Sequence, residues 1–409
     1  MTLENSRQGV DTAVAHALAW LVIGNGVGLF LSILLLFPSL NPGELTYGRW
    51  TPVHLNAQLY GWTAMPLIAW LFSVYEVHLS KADKWASAAV WAWSSAILIG
   101  SISWLSGTSS GKIFLDWRNG SLWVFVAAMI ILWIVLAVAW KDGKCRWNRS
   151  KKWLSGISIA GLALVPVSMI FAASPSVYPP VDPTTGGPTG SSLLGSTLIV
   201  VGMILLLPRI AGLPTKQPTS KLRWIFFSIC WLVFIVTETI GGTHFDVWQI
   251  GAMLCLVPWA WLIPQDWKTF IWPAETIAWR FAAISWWGIL VISGVTMFFP
   301  SLLDHLKFTQ GLVAHSHLAM AGFTTSFCAL LIVSITNKKM GGKFTIPLWN
   351  AAALGMIVVL AWMGWREGDG YSWMITHPQW REIGLIMRTF FGAILLVVSA
   401  LWFKQWIRK

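Results

Sequence analysis

Long apolar runs, one after another from end to end, constrain this sequence more than any other feature. Each run is about 20 residues long, which is the length a helix needs to cross the hydrocarbon core of a bilayer. Of the 409 residues, 56% are hydrophobic and only 11% are charged, and the mean hydropathy is +0.65. This composition is typical of a chain dissolved in lipid. It excludes a water-soluble globular fold, a disordered chain and a disulfide-rich secreted domain.

Apolar runs of this kind form helices, because a helix satisfies its own backbone hydrogen bonds in the absence of water. We therefore predict an all-α polytopic membrane fold with about twelve transmembrane helices, forming a single domain over residues 1–409. The predicted helices lie near residues 13–37, 52–76, 85–105, 121–141, 153–173, 191–213, 223–242, 246–264, 278–299, 311–336, 346–365 and 384–406.

The basic residues predict how these helices are oriented. The chain has 28 Lys and Arg against 16 Asp and Glu, a net charge of +12. If the N-terminus is cytoplasmic, 21 of the 28 basic residues fall on the cytoplasmic side, as the positive-inside rule requires. We predict that both termini are cytoplasmic and that the protein lies in a bacterial-type cytoplasmic (inner) membrane. The positive charge is thus an orientation signal, and membrane lipid rather than nucleic acid is the expected surrounding.

The cysteines and one outer loop carry less information. Four cysteines lie far apart without a CxxC or CxxCH motif, so neither a zinc knuckle nor a covalently attached c-type haem is expected. The segment 174–190 has no Lys or Arg and is rich in Pro and Gly. It is either a rigid cap over the outer face or a plain connector.

Tryptophan is abundant, with 31 residues, and many are predicted to form a belt at the membrane interface. Some of these also have positions suited to walls of a cofactor site. Those placed toward the outer face are Trp50, Trp62, Trp104, Trp117, Trp123, Trp365, Trp373 and Trp380.

Histidines inside a span are candidates for function, because an ionisable side chain is costly in lipid. Four of the eight histidines fall at helix ends or in loops, where interfacial or solvated side chains are expected: His16, His78, His305 and His377. The other four, His54, His244, His315 and His317, lie in or beside predicted spans.

His54 begins the second helix, and His315 and His317 begin the tenth. Both helices run inward from the outer face, so the three imidazoles share one depth. Positions i and i+2 of a helix point about 200° apart, so one helix can serve two cofactors. Two neutral imidazoles clamp a low-spin haem and one leaves an open iron site. The alternative is a set of buried, hydrogen-bonded histidines.

The segments that contain these histidines, GRWTPVHLNAQLYGW (48–62) and FTQGLVAHSHLAMAGF (308–323), resemble a known family. They are similar to subunit I of the haem-copper oxidase superfamily, nearest to C-type (cbb-type) cytochrome c oxidases and nitric oxide reductases. The similarity covers most of the chain, including 190–264 and the segment RTFFGA at 388–393. Twelve helices with cytoplasmic termini are also that family's architecture.

The resemblance implies a role for each residue that matches the family's motifs. His54 and His317 would bind a low-spin haem b. His315 would bind a second, high-spin haem b, where any catalysis would take place. Cations near the outer rim would pair with haem propionates; they are Arg49, Arg366, Arg388 and Lys307.

The sequence departs from the family at the second metal, which is copper in oxidases and iron in nitric oxide reductases. The helix-six ligand position reads Gly-Ser-Ser-Leu at 190–193, and the His-His pair is reduced to Thr243 and His244. Thr237 stands where C-type oxidases have a tyrosine. His244 is thus the residual second-metal position, and copper is not expected because it needs three or four N or S donors. Glu238, about 240° round a helix from His244, is expected to be a proton-handling or structural carboxylate.

We therefore expect a haem b-containing subunit of a respiratory electron-transfer complex. Its partners would be a c-type cytochrome subunit or soluble cytochrome c at the outer face, together with other membrane subunits. Oxygen reduction is doubtful on this sequence, so enzyme activity stays open. Two alternatives also stay open: a working oxygen or nitric oxide reductase with a rebuilt metal site, and a non-redox transporter or structural subunit.

Overall fold

The computed structural model describes residues 7–177, 189–218, 220–370 and 375–408, and almost all of them are helical. Within these residues the only β pairing is an isolated bridge between Thr215 and Phe270. The helices are α1 (Gln8–Leu36), α2 (Tyr47–Asn56), α3 (Ala64–Val74), α4 (Asp83–Leu105), α5 (Asn119–Gly143), α6 (Arg149–Ala173), α7 (Gly190–Ile210), α8 (Lys221–Ile240), α9 (Val247–Met253), α10 (Trp259–Lys268), α11 (Ile277–Met297), α12 (Pro300–Leu306), α13 (Gln310–His317), α14 (Thr325–Thr336), α15 (Thr345–Gly368) and α16 (Pro378–Ile407).

The predicted spans are confirmed as helices, with ends that differ by a few residues from those predicted. Among the described residues, eleven helical segments are long and apolar enough to cross a membrane. The remaining predicted span is helical throughout Tyr47–Val74, but it is more polar because it contains residues such as Asn56, Gln58 and Tyr60. The chain is therefore an all-α polytopic membrane protein. Most of the Pro- and Gly-rich segment 174–190 lies outside the described residues.

The seventh span ends earlier than predicted. Helix α8 stops at Ile240 because Gly241 and Gly242 adopt φ values of 73° and 103°, a left-handed region that glycine enters without a steric penalty. His244 therefore lies in the loop between the predicted spans 223–242 and 246–264, and the 240° angle between it and Glu238, which assumed one continuous helix, does not apply.

The chain divides into two compact units. The first consists of the described residues within Met1–Pro180, Leu331–Thr345 and Gly392–Lys409, and the second of those within Val181–Leu330 and Ile346–Phe391. Each unit has an aromatic interior. In the first, Trp117 stacks on Phe125 with ring centroids 4.0 Å apart. The largest fully buried side chains of the second are Trp259, Trp267, Trp279, Trp287 and Trp349.

The tryptophans near the outer face divide into two kinds. Trp62, Trp104 and Trp117 are fully buried, so the interfacial-belt interpretation was wrong for these three. A second group is exposed, as a belt requires: Trp123, Trp365 and Trp380. Trp50 is half-buried, and Trp373 lies outside the described residues.

Candidate haem-binding site

The helices that carry the three candidate haem histidines share a local distortion. The backbone forms π-helical segments at Ala57–Thr63, three residues after His54, and at Leu318–Thr324, directly after His317. Within the described part of the chain these are the only two π segments. A threonine at the end of each segment, Thr63 as its last residue and Thr325 just after it, donates its hydroxyl to the carbonyl five residues earlier, at 3.0 Å and 2.9 Å. Single π turns inside α-helices are rare, and those that do occur are often at functional sites.

A glycine in each π segment receives a tryptophan ring. A Cβ atom on Gly61 would lie 2.5 Å from Trp20, and one on Gly322 would lie 2.8 Å from Trp286. Because real Cβ contacts are never this short, both positions require glycine. The sequence contains a signal for this arrangement, since each glycine follows a histidine, His54 or His315, by seven residues.

His54 lies on α2 with its ring oriented by α1. Its Nδ1 is 2.8 Å from the carbonyl oxygen of Gly24. Because a carbonyl only accepts, Nδ1 carries the proton, and the lone pair of the neutral ring is on Nε2. The ring edge packs on Gly28, where a Cβ would lie 2.6 Å from Cε1.

His317, on α13, is held in the same tautomer within its own helix. Its Nδ1 lies 2.8 Å from the carbonyl oxygen of Val313, so its lone pair is also on Nε2. A hydrogen bond from one ring nitrogen to a carbonyl is the arrangement that fixes the tautomer and orientation of metal-ligating histidines.

His315 lies on α13 two residues before His317, but it is held differently. Its Nδ1 is buried and makes no hydrogen bond among the described residues. The ring contacts α11 at Gly294, where a Cβ would lie 3.4 Å from Cε1. Buried polar atoms of this kind are rare and require an explanation.

His244 lies in the loop between α8 and α9 and is only 4% exposed. Its ring packs beside that of Phe245, with centroids 4.1 Å apart. Both ring nitrogens are buried without a hydrogen-bond partner among the described residues. Both nitrogens of this buried imidazole are therefore available to a ligand or a metal ion.

The residues at the second-metal position satisfy one another. The Oγ of Ser191 donates to Glu238 Oε2 at 2.6 Å, and the Ser191 amide donates to Gln249 Oε1 at 2.8 Å. Gln249 in turn donates to the Gly241 carbonyl at 2.9 Å. In the described part of the chain, no group of three or more His, Cys, Asp or Glu side chains is arranged to hold a metal ion. A hydroxyl, an amide and one carboxylate are not a donor set for copper.

Arg388 differs from the other predicted propionate partners by its burial. It is 8% exposed, and its Nη1 donates to Gln310 Oε1 at 3.2 Å. Gln310 is the first residue of the helix that carries His315 and His317. A buried guanidinium needs an anionic or hydrogen-bonding partner, which makes Arg388 the strongest propionate candidate of the four.

The other three cations lie nearer the surface. Arg49 pairs with Glu44 at 3.3 Å, and Arg366 pairs with Asp369 at 3.4 Å. The ammonium group of Lys307 lies 5.5 Å from the centre of the Phe308 ring. Ion pairs of this kind near the surface contribute little to stability.

Two carboxylates near the histidine helices were not predicted. Asp116, in the loop between α4 and α5, is 4% exposed and accepts a 3.0 Å hydrogen bond from Asn56, two residues beyond His54. Burial raises the pKa of the Asp116 carboxyl, although hydrogen bonds from Asn56 and Ser109 oppose this shift. Glu367 accepts a 2.6 Å hydrogen bond from the Gln310 amide. The scarcity of acidic residues, 16 in 409, is the sequence signal that would have singled them out.

The fold and these side chains define a class of protein: a polytopic α-helical membrane protein with ligand-type histidines at the start of two spans. The chain is 22% identical over 416 aligned residues to "Cytochrome c oxidase subunit 1" of Rhodobacter capsulatus, covering 87% of this chain and 76% of that protein. It is 30% identical over 127 residues to "Cbb3-type cytochrome c oxidase subunit CcoN1" of Stutzerimonas stutzeri, covering 29% of this chain and 25% of that protein. No protein-family model matches the chain.

These similarities agree with the resemblance of the histidine segments. The chain is a haem-copper oxidase subunit I-like integral membrane protein of the bacterial inner membrane.

Proposed function

We propose that this protein is a haem b-carrying subunit of a respiratory electron-transfer complex. Electrons pass through a low-spin haem b held by His54 and His317, and then to a second haem b on His315. In this proposal the second metal of the oxidase family has been lost, and the protein does not perform rapid oxygen reduction.

The observation that carries the proposal is the state of the two paired imidazoles. His54 and His317 each have Nδ1 bonded to a backbone carbonyl at 2.8 Å, so each has its lone pair on Nε2, as an axial haem ligand requires. Each also lies within three residues of the start of a π segment. Two ordinary core histidines would not be expected to share both features.

Other residues are suited to bind the haem propionates and a second haem. When bound, haem iron supplies one-electron transfer between its ferrous and ferric states. The buried Arg388 would hold a propionate carboxylate, with Arg49, Arg366 and Lys307 as weaker partners at the rim. His315, buried with an unpaired Nδ1, offers a single imidazole and so leaves one side of its iron open.

Loss of the second metal is supported by the chemistry of the residues that stand in its place. Ser191, Glu238 and Gln249 are committed to hydrogen bonds with one another, and His244 is the one imidazole of the set. We expect copper and non-haem iron at well under about 0.1 ion per chain in the purified protein, because a single imidazole does not retain copper. Stoichiometric copper after dialysis against a chelator would contradict the proposal and favour a working reductase.

The proposal includes partners, since this chain has no motif for a covalently bound c-type haem. A c-type cytochrome subunit or soluble cytochrome c would deliver electrons at the outer face, near which the histidine helices begin. The similarity to a cbb3-type oxidase subunit supports further membrane subunits in the complex.

Single substitutions test the haem assignments. We expect His54→Ala and His317→Ala each to abolish the low-spin haem spectrum, because one imidazole cannot make a six-coordinate bis-histidine iron. His315→Ala should leave the low-spin band in place and remove CO binding by the reduced protein. The measurements are the pyridine haemochrome and the reduced and reduced-plus-CO spectra of the detergent-purified chain.

His78→Ala is the matched control, because His78 lies in the turn after α3, outside the spans. It should retain both haems. An unchanged low-spin band in His317→Ala would show that the pairing is wrong, and a wild-type protein without any haem would overturn the whole proposal.

A further inference from the structure

The helix that carries His315 and His317 begins on a seat made by α15 and the part of α16 that belongs to the second unit, Pro378 to Phe391. A Cβ on Gly364 of α15 would clash with the amide nitrogen of Gly311. The two helices therefore touch backbone to backbone at the first turn of α13. One turn further on, Ala314 packs with Met356 and Leu360 of α15 in a buried apolar cluster.

Glu367 closes this seat at its polar end. Its Oε2 accepts the backbone amide of Gln310, the first residue of α13, at 2.6 Å. The first amides of a helix have no partner within the helix, and a carboxylate there also interacts favourably with the helix dipole. The next amide, that of Gly311, donates to the hydroxyl of Thr309 at 3.0 Å.

The same residue, Gln310, also links the seat to a cation of the site. Its side-chain oxygen accepts from the buried Arg388 of α16. The guanidinium groups of Arg388 and Arg381 act electrostatically on the Glu367 carboxylate. Glu367 and Arg388 thus hold the backbone and the side chain of one residue at the start of the histidine helix.

We propose that Glu367 is a positioning residue for the haem ligands: through the Gln310 amide it fixes the depth and rotation of α13, and thereby of His315 and His317. This inference rests on the proposed function, because it assigns Glu367 a role in haem binding. Glu367 does not touch the iron in this arrangement; it acts only through the helix.

Three substitutions separate the hydrogen bond from the charge. Glu367→Gln keeps an oxygen that can accept the amide but removes the charge. Glu367→Asp keeps the charge but withdraws the oxygen by one methylene, and Glu367→Ala removes both. Glu382→Ala is the control, because Glu382 is an exposed carboxylate near the outer end of α16.

The measurement is the rate at which low-spin haem leaves the detergent-purified full chain for excess apomyoglobin, together with the low-spin absorption band before transfer. We expect Glu367→Ala and Glu367→Asp to lose haem about tenfold faster than wild type, the size expected for the loss of one hydrogen bond. Glu367→Gln and Glu382→Ala should stay within about twofold of wild type. Rescue by Gln is the result that a purely electrostatic role would not give.

Unchanged haem loss in Glu367→Asp would overturn the inference while leaving the proposed function intact, because the wild type would still contain low-spin haem. Equal, fast loss from the Gln and Asp variants would also overturn it, since the charge and not the hydrogen bond would then matter. A wild-type chain without haem would instead overturn the proposed function and this inference together.

Discussion

Two glycines of α1 set the position of His54. Gly24 offers a carbonyl to its Nδ1, and Gly28 makes room for the ring one turn later on α1. The two glycines lie on one helix face, four residues apart. Together they set the tautomer and the direction of the imidazole.

Gly28→Ala tests this contact. The added Cβ would lie 2.6 Å from Cε1 and 2.9 Å from Nδ1 of His54, so the ring has to move. Overpacking of this kind costs about 1–3 kcal/mol, and we expect low-spin haem content at limiting haem to fall roughly tenfold although His54 itself is unchanged. The pyridine haemochrome gives the haem content.

Gly26→Ala is the matched control on the same helix, because its Cβ would meet nothing closer than Leu396 Cδ1 at 3.9 Å. It should bind haem like wild type. If Gly28→Ala also retains a full low-spin band, then His54 does not need its observed position against α1.

At the scale of helical elements, one ion cluster joins three helix ends on the predicted cytoplasmic side. The fully buried carboxylate of Asp266 on α10 accepts from Arg209 of α7 at 2.8 and 2.9 Å, and from Arg223 of α8 at 2.7 Å. The two arginines have side chains only 21% and 12% exposed. Helix α8 is otherwise largely exposed, since Cys230 and Thr237 are its only buried residues.

Asp266→Ala should therefore destabilise the protein strongly. Removing one partner of a buried ion pair leaves an uncompensated charge, which costs about 3–5 kcal/mol of unfolding free energy. Because the two arginine side chains are partly exposed, we expect a loss near the lower value. The measurement is the unfolding midpoint in detergent, followed by tryptophan fluorescence. Asp304→Ala, at an exposed position on α12, should leave the midpoint unchanged; equal midpoints for the two variants would refute the cluster's role.

The two π segments also act at the scale of whole helices. Each inserts an extra residue into a span, and each is stabilised by a threonine hydroxyl that reaches the carbonyl five residues back. Periodicity in the sequence predicts a helix at both places, but a π turn changes which side chains face one another after it. For this reason the glycine–tryptophan contacts at Gly61 and Gly322 were not predicted.

At the scale of the whole molecule, the distribution of Lys and Arg predicts the orientation, and one cysteine makes that orientation measurable. Cys145 is exposed, whereas Cys230 and Cys328 are buried. It lies between α5 and α6, in a stretch with Lys141, Lys144 and Arg146 that the positive-inside rule places in the cytoplasm.

A membrane-impermeant maleimide should therefore label Cys145 in inside-out vesicles and not in intact spheroplasts. Cys145→Ser should abolish this labelling. Ser106→Cys, at an exposed position after the outer end of α4, should give the opposite pattern in that background. Labelling of Cys145 from the periplasmic side would invert the topology and place the histidines near the cytoplasm.

The sequence by itself determined the membrane class and the spans, because bilayer thickness imposes a length on each apolar run. It predicted the orientation from the basic residues and the three candidate haem histidines from the cost of an ionisable side chain in lipid. It also led us to expect the loss of the second metal, because His244 is the one imidazole left at that position.

Only the tertiary structure decided the state and support of those residues. It placed Gly24 beside His54, Glu367 and Arg388 around Gln310, and Glu238 against Ser191. These are contacts between residues up to about 80 positions apart, set by how helices pack. Apolar runs specify that helices form in lipid, but most of these helices are apolar on all sides. The helix faces that pack together are therefore decided by local features such as a glycine, a π turn or a buried ion pair.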